Sequence, residues 1–258
     1  MDFWIKLLVC FIAGAGAGLG TGFAGMSAAA VISPMLITFL GMDAYEAVGI
    51  ALASDVLASA VSAYTYGKRK NLDIRNGLLM LATVLTFTAV GSFLGSLVPN
   101  TAMGSFSVVM TMLLGVKFIV RPVMTTKEAM AAVSPRRRVV QSVLCGTIIG
   151  LICGFIGAGG GMMMLLVLTS VMGYELKTAV GTSVFIMTFT ALTGAVSHAA
   201  FGGIPDLMVL ALCVLFTLVW ARIAAVIANR STPKTLNRVT GVILVALGVV
   251  ILGVNFLS

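Results

Sequence analysis

Long apolar segments separated by short basic clusters are the feature that most restricts how this chain can fold. Of its 258 residues, 60% are hydrophobic and only 9% are charged, whereas a soluble domain carries roughly a quarter charged residues. A bilayer crossing needs about 20 mostly apolar residues, so a chain of this length has room for about eight to ten crossings. The sequence therefore predicts an all-α, multi-pass integral membrane protein of the plasma membrane.

The net charge of +8 is explained by membrane topology. Lys and Arg mark cytoplasmic loops in membrane proteins, and the basic residues here fall between apolar segments. They form three clusters, at 68–75, 121–138 and 230–238. We therefore expect a lipid bilayer and no nucleic acid as the partner of this positive charge.

The two halves of the chain repeat each other at a shift of 132 residues. Without a gap, Gly14, Gly18, Leu19, Gly22, Phe23 and Gly25 fall on Gly146, Gly150, Leu151, Gly154, Phe155 and Gly157. A second block, 47–49, falls on 179–181. The predicted division is a first membrane repeat at 1–120, a basic cytoplasmic linker at 121–138 and a second repeat at 139–258.

The loops of the two halves differ in charge, which predicts inverted repeats. The loop at 67–75 is basic, but its equivalent at 199–207 has no Lys or Arg. The loop at 98–101 is uncharged, but its equivalent lies in the basic stretch 229–238. Equivalent loops should therefore lie on opposite sides of the membrane, as in many secondary transporters.

We accordingly expect five segments in each half, with both termini outside. The predicted long crossings are 44–66, 76–98, 102–120, 176–199, 207–228 and 239–257. Each half opens with a glycine-interrupted segment, 3–40 or 139–172, that forms a hairpin or two crossings, so the first two segments of each half are short or broken.

The glycine-rich stretch 154–161 predicts a helix break at membrane depth. Unwound backbone is tolerated there only where it is buried in protein or lines a cavity. A short helix is expected over 162–172, and its free N–H groups and positive dipole end suit an anion. The alternative is that the glycines only allow close helix packing.

The first half has a weaker copy of this motif, because Met26, Ser27 and Ala28 replace the three glycines. Ser27 offers a hydroxyl that can cap the next helix, and Pro34 is expected to break that helix. Thr182 and Ser183 form a second hydroxyl pair, suited either to an oxyanion or to bonds back to helix carbonyls.

Two ionisable residues are candidates for proton coupling. Asp55 is the acidic residue in the middle of a long predicted crossing, where acids commonly mark an ion path. The alternative is a protonated Asp55 that a neighbouring helix satisfies. His198 is the second candidate, with an interfacial position as its alternative role.

The glycine motif, followed by Ala179-Val180-Gly181-Thr182-Ser183, resembles the TauE/SafE family, also called sulfite exporters. The resemblance spans both halves and implies a permease for small sulfur-containing anions such as sulfite, sulfoacetate or thiosulfate. The substrate-binding residues predicted with it are Gly22, Phe23, Gly25, Ser27, Phe155, Gly157, Gly159, Gly160, Gly161, Thr182 and Ser183.

The leading hypothesis is a secondary transporter that exports such an anion, with proton coupling through Asp55. A passive anion channel of the same architecture is the nearest alternative, and a membrane sulfur-relay protein using Cys153 is the third. We expect no cofactor, no metal and no enzymatic activity. The assembly is left open between a monomer and a homodimer.

Overall fold

A computed structural model describes residues 3–95, 112–113, 115–156, 160–202 and 205–257, and every regular element in these ranges is a helix. The first half contains α1 (Phe3–Ala24), α2 (Ala29–Leu40), α3 (Ala44–Lys68) and α4 (Ile74–Gly95), followed by helical residues 115–120. A short helix, α5 (Lys127–Ala131), lies in the linker. The second half contains α6 (Pro135–Ile156), α7 (Gly160–Ser170), α8 (Leu176–Gly202), α9 (Leu207–Arg230) and α10 (Pro233–Leu257).

The distribution of apolar side chains confirms a membrane protein. Five of the described helices, α1, α3, α8, α9 and α10, are long and apolar enough to cross a bilayer. Large apolar side chains such as Trp4 (74% exposed) and Val120 (69%) face outward, while Ser54, Asp55 and Ser59 are completely buried. A soluble protein rarely exposes so much apolar surface to water. In a membrane protein this surface contacts the hydrocarbon of the lipids.

Each glycine-interrupted segment folds as two helices. In the first half, α1 ends at a glycine in the left-handed conformation, Gly25 (φ +62°). Its N–H bonds the Thr21 carbonyl, which is the single bond of an αL helix cap. The Met26 N–H bonds the Gly20 carbonyl. The predicted break at Pro34 is wrong, because α2 runs through it, as membrane helices allow when neighbouring groups satisfy the freed backbone.

The helix boundaries repeat at the same spacing as the sequence. The ends of α1 and α6 correspond at a shift of 132 residues, and so do the starts of α3 and α8. Two further left-handed glycines, Gly41 and Gly173, are also equivalent and follow α2 and α7. The sequence repeat is therefore a repeat of helices.

The two halves also contact each other reciprocally. The α1 glycines Gly14 and Gly18 lie against α9, and the equivalent Gly146 and Gly150 lie against α4. The equivalent helices α3 and α8 run antiparallel, since Gly49 lies against His198 near one end and Gly181 against Tyr66 near the other. Such exchange of partners is typical of a two-fold relation.

The basic segments gather at one end of the helix bundle. Asn71 Nδ2 donates to Asn229 Oδ1 (2.7 Å), Lys127 Nζ to the Lys70 carbonyl (3.1 Å), and Asn237 Nδ2 to the Val123 carbonyl (2.9 Å). These bonds join the loop that follows α3 to the end of α9 and to the linker, and they join the linker to the start of α10. We call this end of the bundle the basic end.

Close helix contact at Gly18 generates a stability prediction. A Cβ at Gly18 would lie 2.7 Å from both the Thr217 carbonyl oxygen and the Ala221 nitrogen, which are backbone atoms that cannot swing away. We expect Gly18→Ala to cost about 1–3 kcal/mol of stability, seen as a lower melting temperature (Tm) of the purified protein in detergent. Gly253→Ala is the control, because a Cβ there meets nothing within 4 Å; equal Tm values for the two variants would contradict the packing.

Candidate functional site

The helix break after α1 meets the start of α7 in the interior. Ser183 Oγ on α8 donates to the Gly25 carbonyl at 2.9 Å. A Cβ on Gly161, in the first turn of α7, would lie 2.7 Å from the Ser27 nitrogen and 2.9 Å from the Gly25 oxygen. The break after α1 thus lies directly against the start of α7 and against α8. We call Gly25, Ser27, Gly161 and Ser183, with the acid described next, the central cluster.

Asp55 belongs to this cluster although it lies far from the breaks in sequence. Its carboxylate accepts hydrogen bonds from Ser27 Oγ (2.6 Å) and from Ser59 Oγ, one turn along α3 (2.8 Å). Asp55 and Ser183 are completely buried, and Ser27 is 3% exposed. The acid in the middle of α3 is therefore linked through one hydroxyl to the break between α1 and α2.

The Asp55 carboxylate has hydroxyl partners and no basic one among the described residues. The ion pairs found there join Lys6 to Asp206 and Arg138 to Asp73, both away from the interior. A buried carboxylate is costly unless it is paired or hydrogen-bonded. Because the hydroxyl donors to Asp55 are neutral, its carboxylate can accept a proton without leaving a buried cation unpaired.

A buried polar track continues from Asp55 along α3. Ser59, Ser62 and Tyr66 follow at helical spacing toward the basic end, and all three are buried. In the part of the chain that the structure describes, the Ser62 hydroxyl has no hydrogen-bond partner. Tyr66 closes the track by donating to the Gly22 carbonyl at 2.9 Å.

Gly22 and Phe23 hold the end of α1, just before the break, against α9 and α10. A Cβ at Gly22 would collide with the α9 backbone at Ala221, so this glycine serves close packing. The Phe23 side chain is buried, and its carbonyl accepts from Thr240 Oγ1 on α10 at 3.1 Å. Both residues fix the position of Gly25 through the surrounding helices.

The predicted hydroxyl pair divides between two places. Ser183 lies in the central cluster, but Thr182 Oγ1 accepts from the Asp73 N–H (3.2 Å), and its methyl group faces Gly77. Consecutive helical residues point about 100° apart, so the two hydroxyls cannot face one small ligand together. Thr182 instead supports the turn that leads into α4.

The structure separates His198 from Asp55. The His198 ring stacks on Tyr45 (centroids 4.3 Å apart), and its Nδ1 lies 3.0 Å from the Gly194 carbonyl oxygen. Together with Glu46 and Pro205 it lines a cavity of about 180 Å³, at the end opposite the basic one. Gly49, which faces His198, is six residues before Asp55, or about 9 Å along the helix.

Several predicted residues lie at or beyond the limits of the description. Gly157 and Gly159 are outside the described residues, so their predicted role stays a prediction. Phe155 lies in the last turn of α6, and Gly160 is the first residue of α7. Cys153 lies on α6, but its side chain is outside the described part.

Two equivalent ion pairs, which sequence reasoning missed, lie at opposite ends of the bundle. Lys6 Nζ on α1 is 2.6 Å from Oδ2 of Asp206, which caps α9. Arg138 Nη1 on α6 is 4.0 Å from Oδ2 of Asp73, just before α4. Lys6 and Arg138 correspond at the 132-residue shift, and Asp206 lies one residue after the position equivalent to Asp73, so aligning the basic residues of the two halves and allowing this offset would have shown the pattern.

These end pairs join the halves through helix starts. The hydrogen bond from Lys6 holds the pKa of Asp206 below its usual range. At the basic end, Tyr174 Oη also donates to Asp73 Oδ2 at 2.8 Å, and Arg138 lies over the Tyr174 ring. Each pair ties the first helix of one half to the fourth helix of the other.

Comparison with known proteins places this geometry in a family. The family model "Sulfite exporter TauE/SafE" matches residues 10–251. The chain is 24% identical to the probable membrane transporter protein YunE of Bacillus subtilis, over 96% of each chain. It is also 24% identical to the probable membrane transporter protein MJ0441 of Methanocaldococcus jannaschii, over 97% of each. No solved structure matches the chain.

The hydrogen bonds to Asp55 predict how two substitutions will differ. Asp55→Asn keeps an acceptor and adds a donor, so we expect it to fold. Asp55→Leu leaves the Ser27 and Ser59 hydroxyls without their acceptor in a buried site, and we expect a loss of about 1–3 kcal/mol. Thermal unfolding in detergent checks this, and a Leu variant as stable as the Asn variant would contradict the assigned bonds.

Proposed function

Because the chain belongs to the sulfite exporter TauE/SafE family of membrane transporters, we propose that it is a secondary transporter that exports a small sulfur-containing anion. Sulfite or an organosulfonate such as sulfoacetate is the proposed substrate, and the plasma membrane the proposed location. The observation that carries the proposal is the contact of the break after α1 with the start of α7, beside a buried acid. Broken helices that meet between repeats are typical of substrate sites in secondary transporters.

The chemistry of the central cluster suits a weakly held anion. The first N–H groups of α7 have no partner within their own helix, and the helix dipole makes this end positive. Ser27 and Ser183 offer hydroxyls that can turn from their present acceptors toward an oxyanion. Among the described residues of the cluster there is no Lys or Arg, so the anion would not be trapped by a full positive charge.

We propose that the two halves are inverted in the membrane, with both termini outside. The antiparallel contact between the equivalent helices α3 and α8 supports this orientation. The gathering of the basic loops at one end supports a cytoplasmic position for that end. The outer end then carries Lys6, Glu46, His198 and Asp206.

Inverted halves suggest how the site is opened. The members of the central cluster are buried, so an anion can enter only after the helices move. The Lys6–Asp206 ion pair holds the two halves together at the outer end, and the Arg138–Asp73 ion pair holds them together at the inner end. We propose that transport alternates between release of one pair and release of the other, as α1 and α9 move against α4 and α6.

Asp55 provides a reason for proton coupling. An ionised Asp55 beside the breaks would repel an arriving anion, whereas a protonated Asp55 would not, and could donate a hydrogen bond to it. Anion and proton would then bind together and leave together. A pH gradient across the membrane would therefore change the flux, and export would occur where the outward gradient of the anion exceeds the inward gradient of protons.

A passive channel of the same architecture is the second candidate, and it needs no titration of Asp55. A sulfur-relay role for Cys153 is the third; Cys153→Ala with full transport would remove it. The basic measurement is uptake of labelled sulfite and of labelled sulfoacetate by proteoliposomes, with and without a pH gradient. Absence of flux for both anions, with protein shown to be folded, would contradict the proposed substrate class.

The divided hydroxyl pair gives a matched test of the site. Ser183→Ala removes a hydroxyl from the central cluster, while Thr182→Ser keeps the hydroxyl that supports the Asp73 turn and removes only a methyl group. We expect initial uptake to fall about tenfold or more in Ser183→Ala, as for loss of one hydrogen bond to a charged group, and to stay near wild type in Thr182→Ser. Equal rates for Ser183→Ala and wild type would place the anion elsewhere.

The role of Asp55 is tested by its neutral analogue. We expect Asp55→Asn to retain exchange of anion for anion but to lose the acceleration of flux by a pH gradient, because the side chain can no longer gain or lose a proton. Glu128→Gln is the control, since it also neutralises one carboxylate, but on an exposed residue of the linker helix α5, away from the central cluster and from both ion pairs. A passive channel predicts that Asp55→Asn changes the flux little.

A further inference from the structure

A basic cavity opens between α3 and α9 on the outside of the bundle. It has a volume of about 320 Å³ and lies at the basic end, where a helix of one half meets a helix of the other. Its lining contains four cationic side chains together with apolar and aromatic ones. The residues that matter here are Lys68, Arg69, Arg222 and Arg230, with Tyr64 and Val226.

The four cations of this cavity have no acidic partner in the described part of the chain. Both ion pairs found there involve other residues. The one interaction that the structure gives these charges is a contact of Lys68 Nζ with the Tyr64 ring, at 5.8 Å from its centroid. Four close positive charges without a counter-ion repel each other, so an anionic group in the cavity would be strongly attracted.

The depth of Arg222 indicates that this anion belongs to the membrane. Arg222 is exposed and lies eight residues before the end of α9, which is about 12 Å along the helix. Its neighbours Val219, Ile223 and Ile227 are exposed apolar side chains. An arginine on a membrane-spanning helix about two turns from its end can extend its guanidinium to the headgroup region, and Arg222 lines the same cavity as Arg230 at the basic end.

The cavity lies on the opposite face of α3 from the central cluster. Asp55, Ser59 and Tyr66 face the protein interior and are buried, whereas Leu57 and Tyr64 (67% exposed) face outward. The buried track along α3 and the basic cavity are thus separated by the helix itself. An anion in the cavity would not be on the proposed substrate path.

We propose that this cavity binds the headgroup of an anionic phospholipid. Arg222 and Arg230 lie on one helix and can clamp a phosphate, for which the planar guanidinium is the best side-chain partner. The exposed apolar surface of α9 would lie along the acyl chains. Basic pockets between membrane helices on the cytoplasmic side are the places where such headgroups bind.

The test is native mass spectrometry of the full-length protein in detergent with added phosphatidylglycerol or, at equal concentration, phosphatidylcholine with the same acyl chains. We expect phosphatidylglycerol to be retained on the wild type and phosphatidylcholine to be lost. The double variant Arg222→Gln/Arg230→Gln should weaken retention about tenfold or more, from the usual contribution of about 1 kcal/mol for each basic residue near a headgroup.

The matched control is Arg136→Gln/Arg137→Gln, which removes the same charge from exposed residues at the start of α6. We expect the control to bind phosphatidylglycerol as the wild type does, and excess inorganic phosphate not to displace the lipid. Unchanged binding in the Arg222/Arg230 variant, equal loss in both variants, or displacement by phosphate would overturn the proposal. A dimer that dissociates in the Arg222/Arg230 variant without a change in lipid binding would also overturn it, because the surface would then be an interface between copies.

Discussion

The hydrogen bond between Ser27 and Asp55 is the interaction on which the interior depends. A carboxylate in the middle of a membrane helix is stable only if other groups satisfy it, and here the main partner comes from the break between α1 and α2. The break can reach Asp55 because Gly25 adopts a left-handed conformation and reverses the chain. Ser183 then holds the turned carbonyl from the other half.

Small residues make this arrangement sterically possible. The glycines of α1 and α6 let these helices lie directly on α9 and α4, so that each half is fastened to the fourth helix of the other. Membrane helices gain little from burying apolar surface against each other, and close backbone packing replaces that driving force. The interior is therefore polar and small-residue-rich, and the large apolar side chains face the bilayer.

The correspondence between the halves at the 132-residue shift holds for the helices and their contacts but not for the chemistry of the centre. The end ion pairs and the left-handed glycines Gly41 and Gly173 occur in both halves. Asp55 has no acidic counterpart, because its equivalent is Met187, and Ser27 corresponds to Gly159. The acid and the hydroxyl that binds it therefore come from the first half alone.

The sequence was sufficient to predict most of the described helices, because long apolar runs and the 132-residue repeat can be recognised along the chain. The predicted crossing 102–120 lies mostly outside the described residues. It also singled out Asp55, Gly25, Ser27, Gly161 and Ser183, which the structure brings together. It could not predict the bond between Ser27 and Asp55, since that depends on which faces of α2 and α3 meet. Thr182 and His198 were grouped with the site by motif and residue type, although helical geometry and position along α8 place them elsewhere.

The most direct test of alternating access at the central cluster is counterflow. Proteoliposomes are loaded with unlabelled sulfite and diluted into a trace of labelled sulfite without a pH gradient. A site that faces one side at a time predicts that labelled sulfite transiently accumulates inside above its external concentration. Each outward passage of unlabelled sulfite brings the site to the outside, where it binds labelled sulfite and carries it in. Label that only rises to equilibrium, without an overshoot, would contradict this account and favour an open channel.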